Sequence, residues 1–93
     1  MKIYIAGKIR GDAHFKDKFE VAKKMLEDQG YIVLNPADLP AGMSQGDYMR
    51  ICISMIDVSD IIYFLNDHWN SQGARVELAY SEYIGKTVRF EKA

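Results

Sequence analysis

Very little in this chain could tie it to a metal, a membrane or an oxidising compartment. It holds 1 cysteine, Cys52, and 2 histidines, His14 and His68. A lone thiol closes no internal disulfide, and these three residues make no zinc-ligand spacing, so redox and structural-metal roles are not expected. No apolar run approaches the ~18 residues of a membrane span. The opening "MKIYIAGKIRG" lacks the long apolar centre and cleavage site of a signal peptide, so a cytoplasmic location is expected. Charge of one sign is missing too. The 12 basic and 13 acidic residues form no block and leave a formal net charge of -1, which offers no electrostatic footprint for nucleic acid or an anionic membrane. The expected partner is a small molecule, with no cofactor.

What is present is apolar and regularly spaced. A chain of 93 residues at 48% hydrophobic composition accommodates one domain, residues 1–93. At this length folding buries only about 60–65% of the surface that the unfolded chain exposes. Further burial between copies, in a homodimer or higher homo-oligomer, is therefore expected.

"KIYIAG" is a β-branched and aromatic run ending in glycine, which predicts a buried strand and a tight loop, "GKIRGDA". From Phe15 the positions Phe15, Phe19, Ala22, Met25 and Leu26 recur at three and four, an amphipathic helix stopped near Gly30. "YIVL" is a second strand closed by Asn35-Pro36. The only 2 prolines mark "PADLPAGMSQG" as loop, and Ser44 with Asp47 resembles a helix-opening capping box. The helix that follows places Tyr48, Ile51, Cys52, Met55 and Ile56 on one face. "DIIYFLN" is the third strand. A helix from about Gln72 to Ile84, predicted to bury Val76, Ala79, Tyr80, Tyr83 and Ile84, ends at Gly85 before the fourth strand, "TVRFE". This β-α-β-α-β-α-β order predicts an α/β flavodoxin-like or Rossmann-like three-layer sandwich with a four- or five-stranded parallel sheet.

In such sheets ligands bind outside the carboxyl ends of the strands. That rule gathers Gly7 to Gly11 after strand one, Asn35 after strand two, and Asn66 to Gly73 after strand three. Asp57 and Asp60 fall at the opposite edge, where capping or solvating a turn suits them better. Lys8, Arg10 and the backbone amides of "GKIRG" suit an anion, although the two glycines equally match an ordinary strand-to-helix turn, and the Walker spacing is absent. Ser71 and Gly73 open the third helix; Ser71 serves either as its N-cap or as an anion ligand. Glu77 lies beyond the capping-box position, Ala74, so local helix chemistry does not require it, yet a Glu on an exposed helix flank is commonplace. Tyr4 is read first as core and second as a ligand contact. His68 and Trp69 stack on a base or simply cover the sheet edge, and Cys52 packs in the core.

"YIAGKIRGD", followed by a helix and then "SDIIYFLNDHWNSQGARVELAYSEYIGK", resembles the nucleoside 2-deoxyribosyltransferase superfamily over essentially the whole chain. The similarity is strongest to its branch of 2'-deoxynucleoside 5'-monophosphate N-glycosidases and to small phage and bacterial domains of unknown function. The resemblance implies that Glu77 is the nucleophile, attacking the anomeric carbon through an oxocarbenium-like transition state to leave a glycosyl-Glu77 ester. It also implies that Ser71, where transferase members tend to place Asp, accepts a 5'-phosphate together with Gly7, Ile9, Arg10, Gly11 and Gly73, Ile9 and the glycines acting through their backbone. Asn35 and Tyr4 complete the substrate contacts. The chain departs from the family at Cys52, which occupies the position of an Asp beside the leaving base. A thiol is a poor acid for a nucleobase nitrogen, in a step worth ~100- to 10,000-fold, so either Asp47 or solvent substitutes, or turnover is slow or absent. The expected activity is cleavage of a nucleotide's N-glycosidic bond without metal. The rival expectation is a non-catalytic nucleotide-binding sensor or sequestering module.

Overall fold

Strand β1 (Lys2–Ala6) owes its place to neighbours on both sides. In the computed structural model, which describes residues 1–92, it pairs in parallel with β2 (Ile32–Leu34), Tyr4 opposite Leu34, and with β3 (Ile61–Phe64), Ala6 opposite Phe64. β4 (Thr87–Phe90) pairs in parallel with β3, giving the order β2-β1-β3-β4. The sheet has four strands among the described residues.

Both faces of this sheet are covered, which is why β1 and β3 read as unbroken apolar runs rather than alternating ones. Ile3, Ile5, Ile61 and Tyr63 meet Phe19, Ala22 and Leu26 of α1 (Phe15–Asp28). Tyr4, Ala6, Ile62 and Phe64 meet Cys52 and Ile56 of α2 (Gln45–Val58) and Leu78 and Tyr80 of α3 (Gln72–Tyr83). The result is the three-layer α/β architecture expected.

The helix ends follow local chemistry. α1 closes on Gly30 at φ +93, in the left-handed region that glycine enters without steric cost. Ser44 and Ser71 cap α2 and α3, their hydroxyls accepting from the amides of Asp47 at 3.1 Å and Ala74 at 3.2 Å. Each such cap typically stabilises a helix by ~1 kcal/mol.

One expectation is overturned. The inward face of α3 is Ala74, Glu77 and Ser81, whereas Val76 is 48% and Tyr83 91% exposed, and Ala79 and Ile84 are exposed as well. Of the five residues predicted to be buried, Tyr80 alone is half-buried, its hydroxyl donating to Asp57. The reason lies in hydrogen bonding. Ser81 donates to the Glu77 carbonyl at 2.7 Å and the Glu77 carboxyl accepts from Tyr4, so each inward polar side chain has a protein partner, and the apolar stripe turns outward.

Candidate active site

Alternation along β1 sends Tyr4 to the α2–α3 side of the sheet, where its side chain is fully buried. Glu77, one helical turn beyond Gly73, descends from α3 to meet it, and the Tyr4 hydroxyl donates to Glu77 Oε1 at 3.1 Å. Only 7% of Glu77 is exposed. Burial pushes its carboxyl from 4.5 up to about 7, against the opposing pull of the Tyr4 hydrogen bond. Oε2 has no protein partner among the described residues, and no sealed side-chain polar atom there lacks one. Oε2 therefore retains contact with solvent: one oxygen is held and the other is available.

Cys52 of α2 adjoins this pair. Burial raises its thiol to about 11, with the Tyr4 hydrogen bond opposing and the Glu77 charge assisting. Burial, and then the Glu77 charge, hold the Tyr4 hydroxyl well above its usual range. At neutral pH both groups keep their protons, so Tyr4 is a permanent donor to Glu77.

The first loop leaves β1 at Gly7, where a Cβ would lie 2.8–3.1 Å from Leu65 side-chain atoms. Glycine is thus required by the close approach of two strand ends. Gly11, at φ +82, turns the chain back into α1. Ile9 is half-buried and its carbonyl accepts from the Asp12 amide at 3.2 Å. Arg10 is exposed, and neither it nor Lys8 forms a side-chain ion pair among the described residues. Two cations thus stand uncommitted beside the loop amides.

A clamp that the sequence did not disclose fixes this loop. Asp67, after β3, accepts from the Lys8 amide at 3.0 Å, and Lys18 of α1 bridges Asp67 to Asp12. Asp12 also accepts from the His14 amide at 2.8 Å. That short Asx turn is the one local signal in "GDAH"; the bridge from Lys18 to Asp67 leaves none, because it joins distant parts of the chain.

Ser71 is the N-cap, as its plainer reading held, and Gly73 follows it with Met49 Cε 3.8 Å from the site of a Cβ. Tyr4, Glu77 and Cys52 thus converge on one point, with Gly73 a turn away. Two other expected residues make contacts of their own. Asp47 is exposed at the start of α2 and faces Arg50 at 3.4 Å. Asn35 caps the turn after β2 and opens onto a separate cavity whose lining includes none of Tyr4, Ser71, Gly73 or Glu77. His68 packs against Phe64 and Phe90, with ring centroids 5.5 and 5.3 Å away, while Trp69 is 66% exposed. Asp60, at the far edge, accepts from the Lys2 amide and so ties the start of β1 to the chain entering β3. Among the described residues no three His, Cys, Asp or Glu side chains gather as metal ligands, and no helix is long and apolar enough to cross a membrane.

Comparison with known proteins places this geometry in context. The family model described as Domain of unknown function (DUF4406) matches residues 1–90. No curated protein matches the chain. Among solved structures, a 2-deoxyribosyltransferase from the psychrotolerant bacterium Bacillus psychrosaccharolyticus aligns with a TM-score of 0.77 at 23% identity, over 97% of this chain and 71% of that one. A 2-deoxyribosyltransferase from Leishmania mexicana aligns with a TM-score of 0.76 at 20% identity, over 96% of this chain and 62% of that one. The chain thus spans less than two thirds of the Leishmania protein. At these identities what is shared is the fold.

Proposed function

The chain belongs to the DUF4406 family, and from that premise we propose that it is a nucleoside-deoxyribosyltransferase-like enzyme that cleaves the N-glycosidic bond of a (deoxy)nucleoside 5'-monophosphate, with Glu77 as nucleophile. The observation that carries the reading is the buried Tyr4–Glu77 pair with Oε2 left free. Oε2 attacks C1' of the sugar, the C1'–N bond breaks with its electron pair going to the base, and a glycosyl ester forms on Glu77. The leaving nitrogen takes its proton from Asp47 or from water. Water, or a second base, then attacks C1' from the opposite face, giving its proton to Asp47 or to solvent, and the ester C1'–O bond breaks to restore the carboxylate, so that configuration is retained overall. The phosphate is held by the first-loop amides of Gly7, Ile9 and Gly11, by Arg10, and by Ser71 with Gly73 at the start of α3, where the helix dipole favours an anion.

A homodimer or higher homo-oligomer belongs to the same proposal. The outward stripe of Val76, Ala79 and Tyr83 runs along the helix that supplies Glu77, so a second copy seated there would cover this apolar surface.

A non-catalytic nucleotide-binding module is the second reading. It is favoured by Cys52, a buried thiol held near 11 where the resemblance calls for a carboxylic acid. The two readings separate on incubation with deoxynucleoside and ribonucleoside monophosphates and the matching nucleosides, with chromatography for released base. Release from monophosphates that vanishes in Glu77→Ala, with a glycosyl adduct on Glu77 seen by mass spectrometry of the quenched enzyme, supports the glycosidase. Binding without release supports the module, and release that survives Glu77→Ala excludes the covalent route.

A further inference from the structure

A cavity of about 350 Å3 lies on the α1 side of the sheet beside the 3-10 turn Pro36–Asp38. Its polar lining is Lys16, Asp17 and Glu20 from α1 with Asn35 and Asp38, and Leu39 adds an apolar wall. Asn35 is 7% exposed. Its Oδ1 accepts from the Ala37 amide at 3.0 Å, which fixes the orientation of the side-chain amide. The nitrogen donates to no protein group among the described residues, and since no sealed side-chain polar atom there lacks a partner, it opens on the cavity. A donor at the cavity wall with no protein acceptor is available to one supplied from outside.

The surrounding charge restricts what can supply it. Three carboxylates, those of Asp17, Glu20 and Asp38, face one ammonium within the lining, that of Lys16, and Lys23 pairs with Asp38 at 3.8 Å. Phosphates and carboxylates are therefore repelled, and groups that donate hydrogen bonds are favoured. Asp17 and Glu20, three residues apart on α1, present their side chains along one strip. The volume suits a small molecule.

We propose that this cavity binds a small neutral or cationic ligand in which an amino group adjoins a carbonyl or ring nitrogen. The acceptor takes the Asn35 N–H, and the amino group donates to Glu20 or Asp17. Aminated bases and carboxamides share that chemistry. The site is independent of Glu77.

The test is a titration of the full chain followed by amide NMR, with cytosine and adenine as aminated bases, nicotinamide as the carboxamide, and uracil and inorganic phosphate as controls. An aminated probe is expected to shift residues 16–20 and 35–39 and to bind at least 10-fold more tightly than uracil, with phosphate leaving these residues unmoved. Comparison of cytosine and adenine with nicotinamide decides which source is preferred. Asn35→Asp keeps the oxygen that caps Ala37 while removing the donor, and it is expected to weaken binding at least 10-fold. Glu20→Gln, on the helix surface, is expected to do the same with the fold intact by circular dichroism. Glu77→Ala is expected to leave binding unchanged even if it abolishes base release, which separates the two sites. Absence of shifts at residues 16–20 with every probe, equal binding of cytosine and uracil, or binding that survives both cavity variants would overturn the proposal.

Discussion

Glu77 couples folding to pH through its displaced carboxyl, about 7 in the folded chain against an ordinary 4.5. Below about 4.5 both folded and unfolded states hold the proton and the residue adds no pH-dependent cost. As pH rises, the unfolded chain ionises first, so stability falls between about 4.5 and 7 and then levels off about 3 kcal/mol lower. Glu77→Gln, which can still accept from Tyr4, is therefore expected to be more stable than the parent by up to about 3 kcal/mol at pH 8 and no more stable at pH 4, as read by urea unfolding at the two pH values. In the parent, base release is expected to rise with pH through about 7 as the nucleophile ionises. Tyr4→Phe removes the one hydrogen bond that favours the carboxylate, and the midpoint of that pH–rate profile should move upward. Glu77 stood out in the sequence because nothing in helix capping accounts for it. Its pairing with Tyr4 did not, because the two lie 73 positions apart and no local pattern joins them.

At the scale of elements, two glycines that look alike in sequence play opposite parts. Gly7→Ala drives a methyl into Leu65 at 2.8–3.1 Å, an overpacking expected to cost about 1–3 kcal/mol. Gly73→Ala meets only Met49 at 3.8 Å and replaces a poor helix former with the best one. Its melting temperature is expected to match or exceed that of the parent, while Gly7→Ala melts lower; equal effects in a thermal scan would contradict this account. The strands and helices were legible because apolar periodicity, the two prolines and the capping serines act locally. The direction in which α3 faces was not. Val76, Ala79 and Tyr83 do form an apolar stripe, but periodicity cannot say whether a stripe meets its own sheet or something outside. Here small residues at 74 and 81 and a carboxyl at 77 held by Tyr4 took the inward position. The clamp of Asp12, Lys18 and Asp67 was hidden for a related reason, since charged residues spread along a chain look solvated until the fold gathers them.

For the molecule as a whole, the parallel sheet and its three layers followed from element order alone, because crossover connections leave few topologies open, whereas the strand order β2-β1-β3-β4 came only with the structure. What element order could not reveal is how much apolar surface stays uncovered. Tyr83 is the most exposed of the large hydrophobic residues, at 91%. Tyr83→Lys, made together with Val76→Lys, is expected to shift the protein to monomer in sedimentation velocity without lowering its melting temperature by more than a few degrees; a parent that is already monomeric at high micromolar concentration would remove the assembly from the proposal. The central place of β1 has a further consequence, for the order of events in folding. The Lys2 amide meets its partner Asp60 58 positions away, and β3 must arrive before the first strand is enclosed on both edges. Contacts of such sequence separation slow the conformational search. During synthesis on the ribosome the apolar "KIYIA" segment waits, half-covered, until more than half the chain has emerged, and that interval is when nascent copies are most open to chaperone capture or to aggregation with one another.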